Sequence, residues 1–147
     1  MDEAAQRRLE DRAEVHDVLA RYFQTVDRRD RDRLRSLFTE NARWSSAGAW
    51  SLSGADGIAD GILKVVARYR TTFHLMGNES IEVDGNAATT EVYAIAYHIY
   101  DHAGAEQAWV VGLVYNDELV RTGDGWNFNR RSLEAKWIQG EPIPRPE

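Results

Sequence analysis

The chain has 147 residues, 43% apolar and 29% charged, with a net charge of −6 and a pI near 5.2. That length suits one domain able to bury its own core, and no apolar run approaches the ~20 residues that span a bilayer. Cysteine is absent, which excludes disulfides, thiolate metal sites and a cysteine nucleophile, and the acidic balance argues against binding to a phosphate backbone.

Met1 to Glu14 is dense in Asp, Glu and Arg, with no stretch resembling a signal peptide, so a cytoplasmic location is expected. From Leu9 to Val26, Leu9, Ala13, Val15, Val18, Leu19, Tyr22, Phe23 and Val26 recur at spacings of three and four, which predicts one long amphipathic helix. A short helix over Arg31–Phe38 follows, capped by Asp30. The run "RRDRDRLR" alternates Arg with Asp and reads as a solvated surface. "ARWSSAGAWSLSG" suggests a short strand or hairpin. "SGAD" matches a capping box ahead of a third helix carrying Ile58, Ile62, Val66 and Tyr69 and ending near Arg70.

Four β-rich runs complete the chain: Phe73–Val83, Asn86–Tyr100, Gln107–Arg121 and Trp126–Ile138. The separators "DG", "DHAGAE" and "TGDG" have hairpin chemistry, so the four form a meander. Runs of about fifteen residues would reach roughly 50 Å if straight, so they must be bent or bulged. In "ATTEVYAIAYHIY", Tyr93, Ile95 and Tyr97 share one face and Val92, Ala94 and Ala96 the other. Both faces are apolar. Helices are expected to cover one, and a second subunit the other. The domain is taken as residues 1–139, with "GEPIPRPE" (140–147) an extended or disordered arm.

Within "TTFHLMGNESIEV", His74 sits between Phe73 and Leu75 at the start of a strand, where it is either a packed histidine or a base. Period-two counting puts Asn78 on the same face. In the last strand Trp126, Phe128 and Arg130 share one parity and Asn127, Asn129 and Arg131 the other, so Asn129 and Arg131 line either a pocket or a wet face. Trp44, Trp50, Trp109 and Tyr93 are candidates for an aromatic lining, with Ile95, Val111 and Leu113 as apolar wall. His98 and His102 stand some 13 Å apart on one strand face, too far for shared ligation. No metal site is expected.

The order of "RYFQTVDRRD", "LFTENARW", "FHLMGN" and "VYNDELVRTGDGWNFNRR" resembles the SnoaL-like branch of the nuclear transport factor 2 superfamily, over about Leu9 to Leu133. Within it the chain looks most similar to the lyases bile acid 7α-dehydratase and hexachlorocyclohexane dehydrochlorinase, and more distantly scytalone dehydratase. The resemblance implies an α+β fold, a cone in which three helices pack into the concave face of a strongly curved, mostly antiparallel sheet, with a deep pocket between. It also implies a homo-oligomer, most often a trimer. Residue by residue, Asp27 and His74 match a catalytic dyad, Arg131 a pocket arginine, and Tyr22 the tyrosine of the bile acid dehydratase. The dehydrochlorinase has lysine at the Tyr22 position, which argues against halide elimination here.

Those residue types suit β-elimination. Imidazole, which titrates near neutrality, takes a proton from carbon, and a carboxylate on its other nitrogen fixes the tautomer and stabilises the imidazolium. A phenol and a guanidinium aid the departing or enolising oxygen. No metal or cofactor is required. The expectation is a dehydratase-type lyase acting on a small hydrophobic, ring-bearing molecule, with an isomerase or polyketide cyclase using the same base as the alternative. A non-catalytic ligand-binding or assembly subunit, like the small subunit of ring-hydroxylating dioxygenases, is the alternative from another class.

Overall fold

A computed structural model describes residues 1–146. Three helices lie in the N-terminal half: α1 (Glu3–Arg28), α2 (Arg31–Ser36) and α3 (Ala55–Val66). The strands are β1 (Phe38–Ser46), β2 (Trp50–Ser53), β3 (Thr71–Asp84), β4 (Ala87–His102), β5 (Ala105–Thr122) and β6 (Gly125–Gln139). They form one sheet in the order β2-β1-β6-β5-β4-β3. Only the β1–β6 pairing is parallel, and the sheet does not close on itself. The α+β class, the four-strand meander and the curved sheet agree with expectation.

Helix α1 starts earlier than its apolar pattern, because Asp2 caps it by accepting a hydrogen bond from the Ala5 N–H at 2.7 Å. Its buried stripe runs Asp11, Val15, Val18, Leu19, Tyr22, Phe23 and Val26, the spacing of one helical face. Leu9 and Ala13 lie outside it, exposed. Asp11 occupies the buried position instead, paired with Arg121, whose guanidinium stacks 4.6 Å from the Trp126 ring centre. Asp30 caps α2 as expected, accepting from the Arg33 N–H. The expected capping box of α3 does not form: Gly54, at φ 77°, is the cap residue and offers no side chain. That helix also stops at Val66, where Arg29 donates to the Val66 and Tyr69 carbonyls and satisfies the helix end.

The long strands bend at three irregularities. On β3 the register skips between Met76 and Glu79; on β6 Asn129 and Lys136 are extra residues facing breaks in the pairing with β5. Each resets which face the following side chains take. Helices α1 and α3 pack on the concave face, and their core includes Leu19, Ile58, Val92 and Phe128, all fully buried.

The C-terminal arm is extended and docked. Tyr100 donates to the Glu141 carbonyl at 2.9 Å, the Ile143 N–H donates to the Tyr69 hydroxyl, and Arg68 holds the Ile143 and Pro144 carbonyls. Gly140 turns the chain into this arm at φ 74°, and a Cβ there would lie 2.0 Å from the Ala108 carbonyl oxygen. Gly140→Ala is therefore expected to cost about 1–3 kcal/mol and to free the arm, seen as faster proteolytic removal of the last residues.

Candidate active site

Asp27 lies in the last turn of α1, which the left-handed Arg29 terminates at φ 56°. β3 is an edge strand, so alternate N–H groups have no ladder partner. One of these, the His74 N–H, donates to Asp27 Oδ2 at 2.9 Å, and Thr72 Oγ1 donates to Oδ1 at 2.9 Å. The same carboxylate lies 2.7 Å from His74 Nδ1. A carboxylate accepts, so Nδ1 carries the hydrogen, and in the neutral ring Nε2 is the nitrogen left with a lone pair. Phe23 stacks on the imidazole at a centroid distance of 5.5 Å. Burial pushes the Asp27 carboxyl upward, but the His74 ring bond and charge, the His74 N–H and Thr72 outweigh it and leave it below the ordinary range.

His74 opens on a cavity of about 410 Å³ between α1, α3 and the sheet. The wall is largely apolar: Val26, Ile62, Val66, Val111, Leu113, Leu133 and the rings of Trp44, Trp50 and Trp109. Its polar groups are few, chiefly His74, His98, Tyr22 and Tyr115. A larger hollow of about 700 Å³, among Glu14, Asp17, Arg21, Arg35 and Asp124, shares none of these residues.

Asp27, His74, Tyr22, Trp44, Trp50, Val111 and Leu113 thus converge on one place. Five predicted residues do not. Tyr93 and Ile95 point to the outer sheet face, since it is Ala94, Ala96 and His98 that alternate inward on β4. Asn78 also faces outward, because the β3 irregularity breaks the period-two count from His74. Past it, Glu79 turns inward and meets His16 of α1 at 2.8 Å. Asn129 is the bulge residue itself, exposed and 2.9 Å from Thr39 Oγ1. That bulge also places Phe128 and Arg131 on the same inner side, which simple parity denies.

Arg131 is not the pocket arginine that the resemblance implies. It is fully buried yet does not line the cavity. Its guanidinium lies behind the wall, 4.0 Å from the Tyr22 ring centre, 3.8 Å from Tyr115 and 4.5 Å from Phe128. Asp117 Oδ1 is 3.1 Å from Arg131 Nε, an ion pair whose N–H is not aimed at the oxygen. Burial raises the Asp117 carboxyl to about 6 despite the arginine, while Thr90 donates to its other oxygen at 2.8 Å.

His98, Tyr115 and Trp109 complete the cavity. The signal for His98 and Tyr115 was alternation along β4 and β5 in phase with Ala96 and Leu113. His98 Nδ1 is 3.0 Å from the Trp109 carbonyl, which can only accept, so His98 Nε2 is also a bare acceptor. Burial lowers its pKa to about 4. Between pH 6.5 and 4 the unfolded chain therefore binds a proton at His98 that the folded chain refuses. The contribution is complete above pH 6.5 and is lost as pH falls toward 4, on the order of 3 kcal/mol. Asp117, with its raised pKa, acts in the opposite direction, gaining stability as pH falls through about 6. Urea melts of the native chain and His98→Gln, in which Asp117 is common to both, are expected to show a flatter acid loss in the variant.

The chain matches the model of the SnoaL-like domain over residues 7–132. It is 34% identical over 136 residues to the uncharacterized protein Rv2910c of Mycobacterium tuberculosis H37Rv, covering 89% of this chain and 88% of that one. Among solved structures, the fold is similar to the hexachlorocyclohexane dehydrochlorinase LinA-type3 of Novosphingobium barchaimii LL02 (22% identity, 95% and 97% of the two chains, TM-score 0.79). It is also similar to a scytalone dehydratase-like protein of Novosphingobium aromaticivorans DSM 12444 (22% identity, 97% and 99%, TM-score 0.83). With six-sevenths of its length inside the family model, about as much shared with a relative, and the curved sheet over helices just described, the chain belongs to the SnoaL-like family of the nuclear transport factor 2 superfamily.

Proposed function

We propose that the chain is a cofactor-independent lyase that eliminates water from a small hydrophobic, ring-bearing alcohol. The observation that carries this is the 2.7 Å contact between His74 Nδ1 and Asp27 beside a mostly apolar cavity of about 410 Å³. Similarity in fold to a dehydrochlorinase and a dehydratase-like protein supports elimination as the reaction class.

His74 Nε2 takes a proton from carbon, and the electron pair of that C–H bond becomes the new double bond. The C–O bond of the adjacent hydroxyl breaks, and the hydroxyl leaves as water with the phenol proton of Tyr22. Asp27 holds the imidazolium thus formed, and its proton returns to the phenolate to reset the site. An isomerase would use the same base and return the proton to a different carbon.

Turnover should be sought among hydroxylated and keto-substituted steroids, tetralones and aryl-propanols, by following elimination products or double-bond shifts. With a turned-over substrate, His74→Ala is expected to lower the rate by at least about a hundredfold while affinity changes much less. Asp27→Asn is expected to be slow as well, since an amide can donate to Nδ1 and impose the wrong tautomer. Tight binders without turnover, or full activity in His74→Ala, would move the assignment to a ligand-binding or assembly subunit.

We also propose that the chain self-associates through the outer face of the sheet, with a trimer expected from the family resemblance. Phe73, Leu75, Tyr93 and Trp137 lie 62%, 55%, 47% and 44% exposed across β3, β4 and β6, an apolar band that a second copy would cover. Light scattering is expected to give a multiple of 16.7 kDa; a stable monomer at working concentration would remove this assignment.

A further inference from the structure

Two buried phenols share one contact. The Tyr22 and Tyr115 hydroxyl oxygens are 3.2 Å apart, and Trp44 Nε1–H donates to the Tyr22 oxygen at 3.1 Å. Each hydroxyl owns one hydrogen, so the pair holds two, and their mutual bond uses only one. No described protein group accepts the other. Both residues are at least 97% buried and both line the cavity. The spare hydrogen therefore faces the cavity, where leaving it unpaired costs about 1–3 kcal/mol.

Either hydroxyl can carry it. If Tyr115 donates to Tyr22, the Tyr22 oxygen accepts twice, from Trp44 and Tyr115, and its own O–H is free. If Tyr22 donates to Tyr115, the Tyr115 O–H is free instead. The two states differ only by rotation of two hydroxyls. In both, the free O–H ends a chain of bonds that polarises it. The Arg131 guanidinium, about 4 Å from both ring centres, drains electron density from both rings alike. Burial raises the pKa of Tyr22 and of Tyr115, so both stay protonated and serve as neutral donors.

We infer that Tyr22 and Tyr115 act as one hydrogen-bond donor unit for an oxygen of the bound molecule, with either phenol able to deliver the hydrogen, so that Tyr115 is a second ligand-contacting residue of the site. This rests on the proposed use of the cavity, and it adds a requirement on the ligand: an oxygen acceptor on an apolar body, whether the departing hydroxyl or a carbonyl, directed at the phenol pair.

The probes are 1-tetralone, which offers one carbonyl, and tetralin, the same body without it. Binding is read by quenching of tryptophan fluorescence, since Trp44, Trp50 and Trp109 line the cavity, and the donor by the infrared carbonyl stretch of bound 1-tetralone. In Tyr22→Phe and in Tyr115→Phe, the affinity ratio of tetralone to tetralin is expected to stay within about threefold of the native value, with the carbonyl still shifted to lower frequency. In the double variant the ratio is expected to fall about tenfold, the worth of one hydrogen bond, and the shift to vanish. Should the double variant not fold, the shift persisting in each single variant carries the same conclusion. Loss of the whole effect in Tyr22→Phe with none in Tyr115→Phe would assign Tyr22 as sole donor and overturn the inference. So would an undiminished shift in the double variant, or failure of 1-tetralone to bind the native chain. These readouts need no turnover, so they stand apart from the lyase assignment, which the His74 variants decide.

Discussion

Everything in the site depends on how strands too long for the domain are made to bend. β5 has 18 residues and β4 has 16, lengths that a flat sheet would carry far past the helices meant to cover it. The irregularities on β3 and β6 absorb this by tightening the local twist. The concave side then receives α1 and α3, and the space the helices do not fill is the cavity. Because each extra residue also inverts the in-out alternation beyond it, the same device that curves the sheet chooses which side chains face the cavity.

A second constraint is the edge strand. β3 leaves unpaired N–H groups along its free side, and the Asp27 carboxylate satisfies one of them while also accepting from Thr72 and the His74 ring. The negative end of α1 is an unfavourable place for a carboxylate. These three donors offset that cost and hold His74 in one tautomer. One interaction thus joins helix to sheet and orients the His74 ring.

Behind the cavity wall, the Arg131 guanidinium, without hydrogen-bond partners for its terminal nitrogens, sits among aromatic rings. Burying such a charge costs several kcal/mol, against about 0.5–2 kcal/mol from each cation–π contact and the attraction of Asp117. Its stability value is therefore small, and its consequence is electrostatic: a fixed positive charge lies directly behind the two phenols. A positive charge thus backs the two phenols, and a carboxylate backs the His74 ring. That pairing suits the proposed elimination, in which a proton leaves carbon and electron density gathers on an oxygen.

Much of this was legible in the sequence. Helical spacing from Val15 to Val26, the hairpin separators and the length of the β-rich runs dictated the elements, the meander and the need for bends, since these follow from local periodicity and chain geometry. The family motifs pointed to Asp27, His74 and Tyr22. What only the tertiary structure decided were positions that depend on a bulge or on depth. Asn78 and Asn129 were misplaced because a period of two holds only while the pairing register does, and a bulge is fixed by contacts with the neighbouring strand. Arg131 was read as a pocket arginine from the family resemblance, and neither a motif position nor strand parity gives a depth behind the wall. Tyr115 and His98 emerged only when strands far apart in the chain brought them beside Tyr22 and His74, and no local pattern encodes a meeting of that kind.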